Sequence, residues 1–471
     1  ILKLDTAHTI TLESNVVPTT FDFTDATDQV LNLNDGYTNA TNVKISGDGT
    51  NADSIINTAG VELTVTGYVA DFDGDTGTTI TGGTGTDSLV MINAATGTAS
   101  IAANITGVEN ITISDYTAGA DPTLTIGAYT LDATFVKSLT IDASTLDAGE
   151  VFTLAGAASV TRMNITSGAA ADALTLGTLA DTVDGGAGND TITGTAGSNV
   201  ITAGAGNDVV TAGTGAENIS GGAGDDTFTL AGNLNSADTI DGGDGTDTLT
   251  ITSGITTASV MGGVSNIEVI QPLAALTITA NGSLGGANSF DLSDDTDQVL
   301  TLTSAAAGGT YSGDTTVMLT NLAAATDDDT NADTVTNSKG VTLNVIGYAD
   351  NFDAGTTITG SATATDTLTI IADGNDAILS GTTYLDKVVI QDSVTQGTDV
   401  EVTPKATDAT TPSLTIDASA LDTGTGAASE NFTLDGDSVT ATKLTATGGD
   451  GADTLLGGQA NDTLDGGAGL D

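Results

Sequence analysis

The stretch that decides the fold is residues 167–229, which reads SGAAADALT-LGTLADTVD-GGAGNDTIT-GTAGSNVIT-AGAGNDVVT-AGTGAENIS-GGAGDDTFT. Seven units of nine residues follow one another here without a slip in register. The sixth residue is acidic or an amide in every unit: Asp172, Asp181, Asp190, Asn199, Asp208, Glu217 and Asp226. The eighth residue is apolar in every unit: Leu174, Val183, Ile192, Ile201, Val210, Ile219 and Phe228. A fixed apolar position with a period of nine indicates stacked coils of short parallel strands.

The same pattern returns elsewhere in the chain. Single copies begin at Gly82 and Gly242, and three more units begin at Gly448, Gly457 and Gly466. Their sixth residues are Asp87, Asp247, Asp453, Asp462 and Asp471. Gly, Asn and Asp also favour ordinary tight turns, so the single copies leave a plain turn and a metal site equally open. Consecutive units in register favour the metal site.

The spacing of the sixth residues predicts rows of calcium sites. If two units form one coil, equivalent residues lie on neighbouring coils about 4.8 Å apart. Calcium–oxygen distances are about 2.4 Å, so carboxylates on successive coils reach an ion between them, and glycine turns expose carbonyl oxygens as further ligands. We expect the sixth residue to face outward and bind Ca2+, and the eighth to fill the core. The predicted ligands are Asp172, Asp181, Asp190, Asn199, Asp208, Glu217, Asp226, Asp87, Asp247, Asp453, Asp462 and Asp471.

Alternate units fall on two different edges of such a roll. One edge carries an unbroken row of aspartates: Asp172, Asp190, Asp208 and Asp226. The other edge carries one aspartate followed by an uncharged and a longer substitute: Asp181, Asn199 and Glu217. We therefore expect a fuller row of ions on the first edge and weaker occupancy on the second.

A longer repeat encloses the nonapeptides. FDFTDATDQVL from Phe21 matches FDLSDDTDQVL from Phe290, and LTIDASTLD from Leu139 matches LTIDASALD from Leu414. Short alternating apolar and polar runs, punctuated by Gly, Asp and Asn, predict half-buried strands. The predicted fold is all-β, with tandem sandwich or solenoid-like β-domains interspersed with parallel β-roll segments. The predicted domains are a preceding module's tail (1–20), a β-domain (21–166), the β-roll (167–229), a connecting β-segment with one motif (230–289), a second β-domain (290–447) and repeats that continue or are truncated (448–471).

Charge and composition exclude several classes of function. The chain has 62 acidic and 8 basic residues, for a net charge of −54, so it lacks a basic nucleic-acid footprint or a polybasic membrane patch. Two explanations of the acidity stay open: a halophile-like solvated surface, or carboxylates partnered by cations. Cysteine is absent, which excludes disulfides and thiolate metal sites. No apolar run reaches the ~18 residues of a membrane span.

The residues of common hydrolytic sites are missing, and we expect the chain not to be an enzyme. His8 is the single histidine, so a two-histidine zinc site cannot form, and no GxSxG elbow is present. Carboxylate pairs are too frequent in an acidic chain to identify a glycosidase. Acidic clusters at 71–75, 294–297 and 327–329 are either further ion sites or solvated loops.

A second recurring arrangement pairs two motifs. GGTGTDSLVM from Gly82 is followed by TGVENITI from Thr106, and GGDGTDTLTI from Gly242 is followed by GGVSNIEVI from Gly262. A weaker third pair joins GSATATDTL from Gly360 to YLDKVVI from Tyr384. The nonapeptides resemble the RTX family of secreted bacterial proteins. The paired arrangement is similar to that of calcium-dependent surface-layer (S-layer) proteins of Gram-negative bacteria.

The resemblance implies a calcium-dependent extracellular structural protein, exported by type I secretion and assembled with identical subunits into a lattice at the bacterial cell surface. Cell-surface polysaccharide is a further implied partner, through regions outside this chain. The alternative is a section of a giant RTX adhesin or surface filament that acts as a calcium-stiffened spacer, and an ice-binding solenoid is a more remote third. Asn199, Glu217 and Ala460 depart from the family pattern, because they replace its Asp or Gly.

Overall fold

The computed structural model is all-β, and its strands pair in parallel. The residues that the structure describes are 2–3, 9–12, 19–24, 28–34, 37–45, 52–72, 78–93, 97–101, 104–115, 121–126, 138–159, 161–230, 234–235, 237–252, 263–273, 277–280, 288–292, 299–302, 315–319, 333–337, 342–348, 352, 356–372, 376–391, 399–404, 413–421 and 430–471. The chain forms two compact units, one of residues 1–231 and 237–247 and the other of residues 232–236 and 248–471.

The first unit is a stack of short parallel strands. They are β1 (Leu2–Lys3), β2 (Thr9–Leu12), β3 (Thr20–Phe23), β4 (Val30–Leu33), β5 (Thr41–Ile45), β6 (Ser54–Asn57), β7 (Leu63–Tyr68), β8 (Thr79–Thr81), β9 (Ser88–Asn93), β10 (Gly97–Ile101), β11 (Ile105–Thr106), β12 (Asn110–Asp115), β13 (Pro122–Ile126), β14 (Leu139–Asp142), β15 (Thr153–Ala155), β16 (Met163–Thr166), β17 (Ala173–Thr175), β18 (Thr182–Asp184), β19 (Thr191–Thr193), β20 (Val200–Ala205), β21 (Val209–Ala212), β22 (Asn218–Ala223), β23 (Thr227–Leu230) and β24 (Thr239–Asp244). One sheet has the order β1-β3-β5-β7-β9-β12-β14-β16-β18-β20-β22-β24, a second β10-β13-β15-β17-β19-β21-β23, and a third β11-β8-β6-β4-β2.

The second unit is built in the same way. Its strands are β25 (Thr248–Ile251), β26 (Val264–Ser265), β27 (Val269–Pro272), β28 (Thr277–Ala280), β29 (Asn288–Asp291), β30 (Val299–Leu302), β31 (Thr315–Met318), β32 (Thr334–Asn337), β33 (Leu343–Tyr348), β34 (Thr357–Thr359), β35 (Thr367–Ile371), β36 (Asp376–Ile378), β37 (Thr382–Thr383), β38 (Lys387–Gln391), β39 (Val400–Thr403), β40 (Ser413–Asp417), β41 (Phe432–Asp435), β42 (Lys443–Thr447), β43 (Thr454–Leu456) and β44 (Thr463–Asp465). Its sheets have the orders β25-β27-β29-β31-β33-β35-β38-β40-β42-β44, β28-β30-β32-β34-β37 and β36-β39-β41-β43.

The nonapeptides of the first unit form a regular roll. Strands β16 to β24 alternate between two sheets, so each coil contributes one strand to each sheet. Within one sheet the register joins residues of successive coils: Asn164 to Thr182, Thr182 to Val200, and Val200 to Asn218. The eighth residues of the nonapeptides, Leu174 to Phe228, are all buried between the sheets, as the sequence predicts. The fold is therefore a parallel β-solenoid that contains an RTX-like β-roll.

Irregular elements are few among the described residues. Short 3-10 helices lie at Val69–Phe72 and Leu379–Gly381, and no α-helix occurs in the described part of the chain. None of the helices described is long or apolar enough to cross a membrane. Of the two predicted arrangements for the β-domains, the described strands form a solenoid and not a sandwich. The six predicted domain segments stay a prediction.

Candidate metal centre

The sixth residues of alternate nonapeptides form a hydrogen-bonded ladder along the first edge of the roll. The backbone N–H groups of Asp172, Asp190 and Asp208 each donate to Oδ1 of the aspartate 18 residues later, at 2.8, 2.7 and 2.8 Å. The N–H of Asp226 donates to Oδ1 of Asp247, 21 residues later, at 2.8 Å. The single motif at Gly242 therefore continues the first edge after a short insertion.

The second edge carries an equivalent ladder. The N–H of Asp181 donates to Oδ1 of Asn199 at 2.9 Å, and the N–H of Asn199 donates to Oε2 of Glu217 at 3.0 Å. The N–H of Glu217 then donates to Oδ1 of Asp238 at 2.9 Å. The predicted alternation between two edges is confirmed. Asp238 was not predicted, because the insertion before it breaks the period of nine.

The sixth residues do not face outward, which corrects the sequence-based expectation. The exposed fraction of every one of them, from Asp172 to Asp226, is 0 or 1%. Each side chain folds back under its own turn, because the backbone N–H of the preceding coil needs an acceptor there. A buried backbone donor without a partner costs about 1–3 kcal/mol, which the carboxylate prevents.

The second oxygen of each carboxylate separates the turns into two kinds. In the turns that end at Asp190, Asp208 and Asp226, the Oδ2 atom is buried and has no hydrogen-bond partner among the described residues. We call these the open turns. In the turns that end at Asp172 and Asp181, Oδ2 accepts the N–H of Gly168 and Gly177, each at 3.0 Å. We call a turn of this second kind closed.

Glycine conformation explains the difference between the two kinds of turn. The second residue of each open turn has a left-handed φ: +91° at Gly186, +125° at Gly204 and +118° at Gly222. In this conformation the N–H of Gly186 donates to Asp184 at 3.2 Å and not to Asp190. Neither Gly168 nor Gly177 is among the glycines with positive φ. The left-handed glycine therefore removes the donor that closes the other turns.

Burial disfavours the charged form of the carboxylates in the open turns. Burial raises the pKa of Asp190 to about 7, the hydrogen bond from Asp172 opposes the rise, and the charges of Asp208 and Asp172 add to it. Burial likewise raises the pKa of Asp226 to about 6. Desolvation penalises the charged form of a carboxyl group unless a cation stands beside it.

The donor set fits Ca2+. No group of three His, Cys, Asp or Glu side chains converges within the described residues, so carboxylates alone do not surround an ion there. A hard cation takes carboxylate and backbone carbonyl oxygens together, and the open turns combine both in stacked glycine-rich backbone. Asp190, Asp208 and Asp226 are the residues whose unpaired oxygens would hold it.

The single motif at Gly82 is a closed turn. Oδ1 of Asp87 accepts the N–H of Leu63 at 2.9 Å and Nδ2 of Asn57 at 3.1 Å, and Oδ2 accepts the N–H of Gly83 at 2.8 Å. Burial raises the pKa of Asp87 to about 6. These protein donors support the plain-turn reading, and a metal role for Asp87 stays a prediction.

The same cluster recurs in the second unit. Oδ1 of Asp366 accepts the N–H of Leu343 at 2.9 Å and Nδ2 of Asn337 at 3.1 Å, and Oδ2 accepts the N–H of Ser361. We call the Asp87 and Asp366 clusters the two clamps. Asn57 and Asn337 were not predicted as site residues. Their equivalent places in NADSIIN and NADTVTN were a usable signal.

The two halves of the paired motif lie on adjacent coils. The N–H of Asp87 donates to Oε2 of Glu109 at 2.7 Å, and the N–H of Gly82 donates to the carbonyl of Thr106 at 2.8 Å. In the second unit the N–H of Asp366 donates to Oδ2 of Asp386 at 2.9 Å. The recurrence of the pair in the sequence therefore reflects direct contact.

The remaining predicted ligands occupy the last repeats. Oδ1 of Asp453 accepts the N–H of Phe432 and Oδ2 accepts the N–H of Gly449, both at 2.8 Å, which makes a closed turn. Oδ1 of Asp462 accepts the N–H of Leu444 at 2.8 Å, and Oδ1 of Asp471 accepts the N–H of Asp453 at 3.1 Å. Their metal roles stay predictions.

Several predicted features fall outside the described residues. These are His8, residues 73–75 of the first acidic cluster, and the clusters at 294–297 and 327–329. Asp71 is described and buried, and its Oδ2 accepts the N–H of Tyr68 at 2.7 Å. This hydrogen bond gives Asp71 a structural role in its turn.

Comparison with known proteins identifies the roll. The family model of the RTX calcium-binding nonapeptide repeat matches residues 175–210, 193–228, 234–254 and 445–471. No curated protein matches the chain. Nonapeptides of this family bind several Ca2+ ions per repeat region, so Ca2+ is the cofactor. The matched segments cover the open turns at Asp190, Asp208 and Asp226. The chain therefore carries RTX-type calcium-binding nonapeptide repeats in the segments that the family model matches.

Proposed function

We propose that this chain is a calcium-dependent structural protein of the bacterial cell surface, whose identical subunits assemble into a surface-layer lattice. The observation that carries the proposal is the row of buried, unpaired carboxylate oxygens at Asp190, Asp208 and Asp226. A row of buried like charges opposes folding unless a cation neutralises it.

Calcium availability then decides where the chain folds. Extracellular calcium modules bind with dissociation constants of about 10⁻⁴ to 10⁻³ M. At millimolar calcium each such site contributes about 0.5–2 kcal/mol by linkage, and several sites together approach the ~5–15 kcal/mol stability of an ordinary domain. The fold forms outside the cell and not in the submicromolar calcium of a cytoplasm.

The role is structural and not catalytic. With one histidine and no cysteine among 471 residues, the chain has no thiol nucleophile and no two-histidine metal site. Two clamps with matching donors, at Asp87 and Asp366, support a chain built from repeated modules. Repeated modules suit a protein that covers a surface as a lattice or extends as a filament.

The same recurrence favours a second candidate, a calcium-stiffened spacer in a giant adhesin or surface filament. Both candidates need self-association or tandem repetition of rigid β-solenoids. The lattice is preferred because the paired motif that resembles S-layer proteins occurs beside both clamps, at Glu109 and at Asp386.

Electron microscopy of the purified chain separates the candidates. We expect ordered two-dimensional sheets in 5–10 mM calcium, roughly ten times the dissociation constants expected of such sites, and their dissolution when EGTA is added. Unbranched fibres would support the spacer instead. Single particles under all calcium concentrations would contradict the lattice and the filament alike.

A further inference from the structure

We infer that calcium occupies only the first edge of the roll, at the open turns, and that the second edge is closed by protein donors without metal. The inference deepens the calcium dependence of the proposed function and rests on it. Both edges of the roll have the nonapeptide period, but the first is stabilised by calcium and the second by protein hydrogen-bond donors.

The first edge offers the ion a charge and an unpaired oxygen on three successive coils. Asp190, Asp208 and Asp226 each use Oδ1 for the ladder and keep a buried Oδ2 without a partner in the described part of the chain. Like charges buried on successive coils of this row also repel one another. A divalent cation gives each unpaired Oδ2 a partner and neutralises the repulsion between the carboxylates.

Glycines with positive φ at the second place of the unit keep the first edge open, whereas positive φ at the fourth place occurs on both edges, as at Gly197. A second column of them lies at Gly188, Gly206 and Gly224, with φ of +112°, +131° and +125°. A Cβ added at Gly206 would lie within 3.0 Å of the carbonyl oxygen of Gly188 on the preceding coil. The stacked turns therefore bring carbonyl-bearing backbone of successive coils close together beside the carboxylates.

The second edge has no such vacancy in its hydrogen bonding. Oδ1 and Oδ2 of Asp181 accept the N–H groups of Met163 and Gly177, at 2.8 and 3.0 Å. Oε2 and Oε1 of Glu217 accept the N–H groups of Asn199 and Gly215, at 3.0 and 3.2 Å. Each of these four carboxylate oxygens therefore already accepts a backbone N–H.

Charge on the second edge is also diluted. Asn199 stands between the two carboxylates and is neutral, and its Nδ2 donates to the carbonyl of Ala196 at 3.4 Å. An amide nitrogen is not a calcium ligand. Asn199 therefore interrupts any row of ions on this edge.

A matched pair of variants tests the inference. Asp208→Asn and Glu217→Gln each remove one buried charge, and they lie on opposite edges of the roll. Bound calcium per full-length chain is measured by equilibrium dialysis and by calorimetric titration. We expect Asp208→Asn to lose about one or two ions, because each ion is shared between neighbouring coils, and Glu217→Gln to keep the full number.

Stability gives an independent readout. In EGTA the Asp208→Asn variant should melt at or above the temperature of the parent chain, because it removes an uncompensated buried charge. In millimolar calcium it should melt below the parent. Glu217→Gln should shift the melting temperature equally in both conditions. An equal loss of ions from both variants would overturn the inference.

A diffraction experiment covers the case in which a variant does not fold. Crystals of the unmodified chain grown in calcium give an anomalous map, with peaks expected at the first edge only. Peaks at Asp181 or Glu217 would refute the one-sided row even if lattices form. Absence of lattices with ions on the first edge alone would refute the proposed lattice and leave the inference standing.

Discussion

The backbone N–H of Asp190 donates to Oδ1 of Asp208 at 2.7 Å, although 18 residues separate them. One side chain thus completes the hydrogen bonding of the coil before it. The same carboxylate has a second oxygen that no protein donor reaches in the described residues. Asp208 therefore joins two coils through one atom and offers the other atom to a cation.

Removal of calcium should strongly destabilise the roll. We expect chelation by EGTA to lower the melting temperature of the chain, with a loss of about 0.5–2 kcal/mol for every site emptied. Circular dichroism at 218 nm in calcium and in EGTA measures the change. Magnesium at the same concentration is the control, since its demand for near-ideal octahedral geometry at shorter distances suits these turns poorly. A melting curve that EGTA leaves unchanged would refute calcium dependence.

Substitution of Gly204 should lower the free energy of unfolding. Gly204 has φ of +125°, and an added Cβ would lie within 3.0 Å of the carbonyl oxygen of Gly186. We expect Gly204→Ala to cost about 1–3 kcal/mol or more in urea unfolding at saturating calcium.

The matched control for that variant is Gly149→Ala. Gly149 lies in a turn where an added Cβ meets only Oδ1 of Asp147, at 3.4 Å. This substitution should change the free energy of unfolding by less than about 0.5 kcal/mol. Equal losses at both positions would show that the stacked turns are not under steric constraint.

The first clamp should stabilise the chain without metal. Asn57 is buried, and its Nδ2 donates to the carbonyl of Val61 at 2.7 Å and to Asp87 at 3.1 Å. Asn57→Ala leaves both acceptors short of a donor, which costs about 1–3 kcal/mol. The loss should be the same in calcium and in EGTA.

Asn32→Ala serves as the control for the clamp. Asn32 is half-buried on β4, and its Nδ2 donates to Thr11 Oγ1 at a long 3.4 Å. We expect a loss of less than about 0.5 kcal/mol there. If the cost of Asn57→Ala disappears in EGTA, Asp87 belongs to a calcium site after all.

The calcium-free chain should become more stable as the pH falls from 8 to 5. The pKa of Asp190 is raised from 3.8 to about 7 in the folded chain, chiefly by burial. The folded state therefore binds a proton more tightly than the unfolded state. The resulting stability is complete below the unfolded pKa and is lost as the pH rises through the folded one.

Melting curves in EGTA between pH 5 and pH 8 test this dependence. Asp190→Asn should flatten the profile, because it removes a titrating group whose pKa burial raises to about 7. The calcium-loaded chain should show the opposite trend, since protons compete with the cation for the same oxygens. A calcium-free profile that rises towards pH 8 would contradict the assignment of buried, unpartnered carboxylates.

The sequence predicted the roll well because the period of nine ties a core position to a turn position. The eighth residues from Leu174 to Phe228 are buried as expected, and the edges alternate as expected. The parallel pairing outside the roll was harder to foresee. Coils there differ in length, as in the pairs Asn110 to Thr140 and Ser54 to Thr79, so no fixed period marks them.

The direction of the sixth side chain was predicted wrongly. The prediction considered calcium ligation alone and placed the Asp190 side chain outside. In the structure its Oδ1 accepts the backbone N–H of Asp172 on the previous coil, which draws the side chain inward. The open and closed turns were also beyond sequence reasoning. Gly177 and Gly186 occupy the same place in their units, but in the folded chain only Gly186 of the two has a left-handed φ.

The ladder from Asp172 to Asp247 runs one way only, because each carboxylate accepts from the coil before it and never from the coil after. A stack cut between two coils would show amide donors on the face towards higher residue numbers and carboxylate acceptors on the face towards lower ones. Two such cut faces match head to tail. Like faces pressed together would set carboxylate against carboxylate, so the geometry of the turns alone gives the stack a polarity.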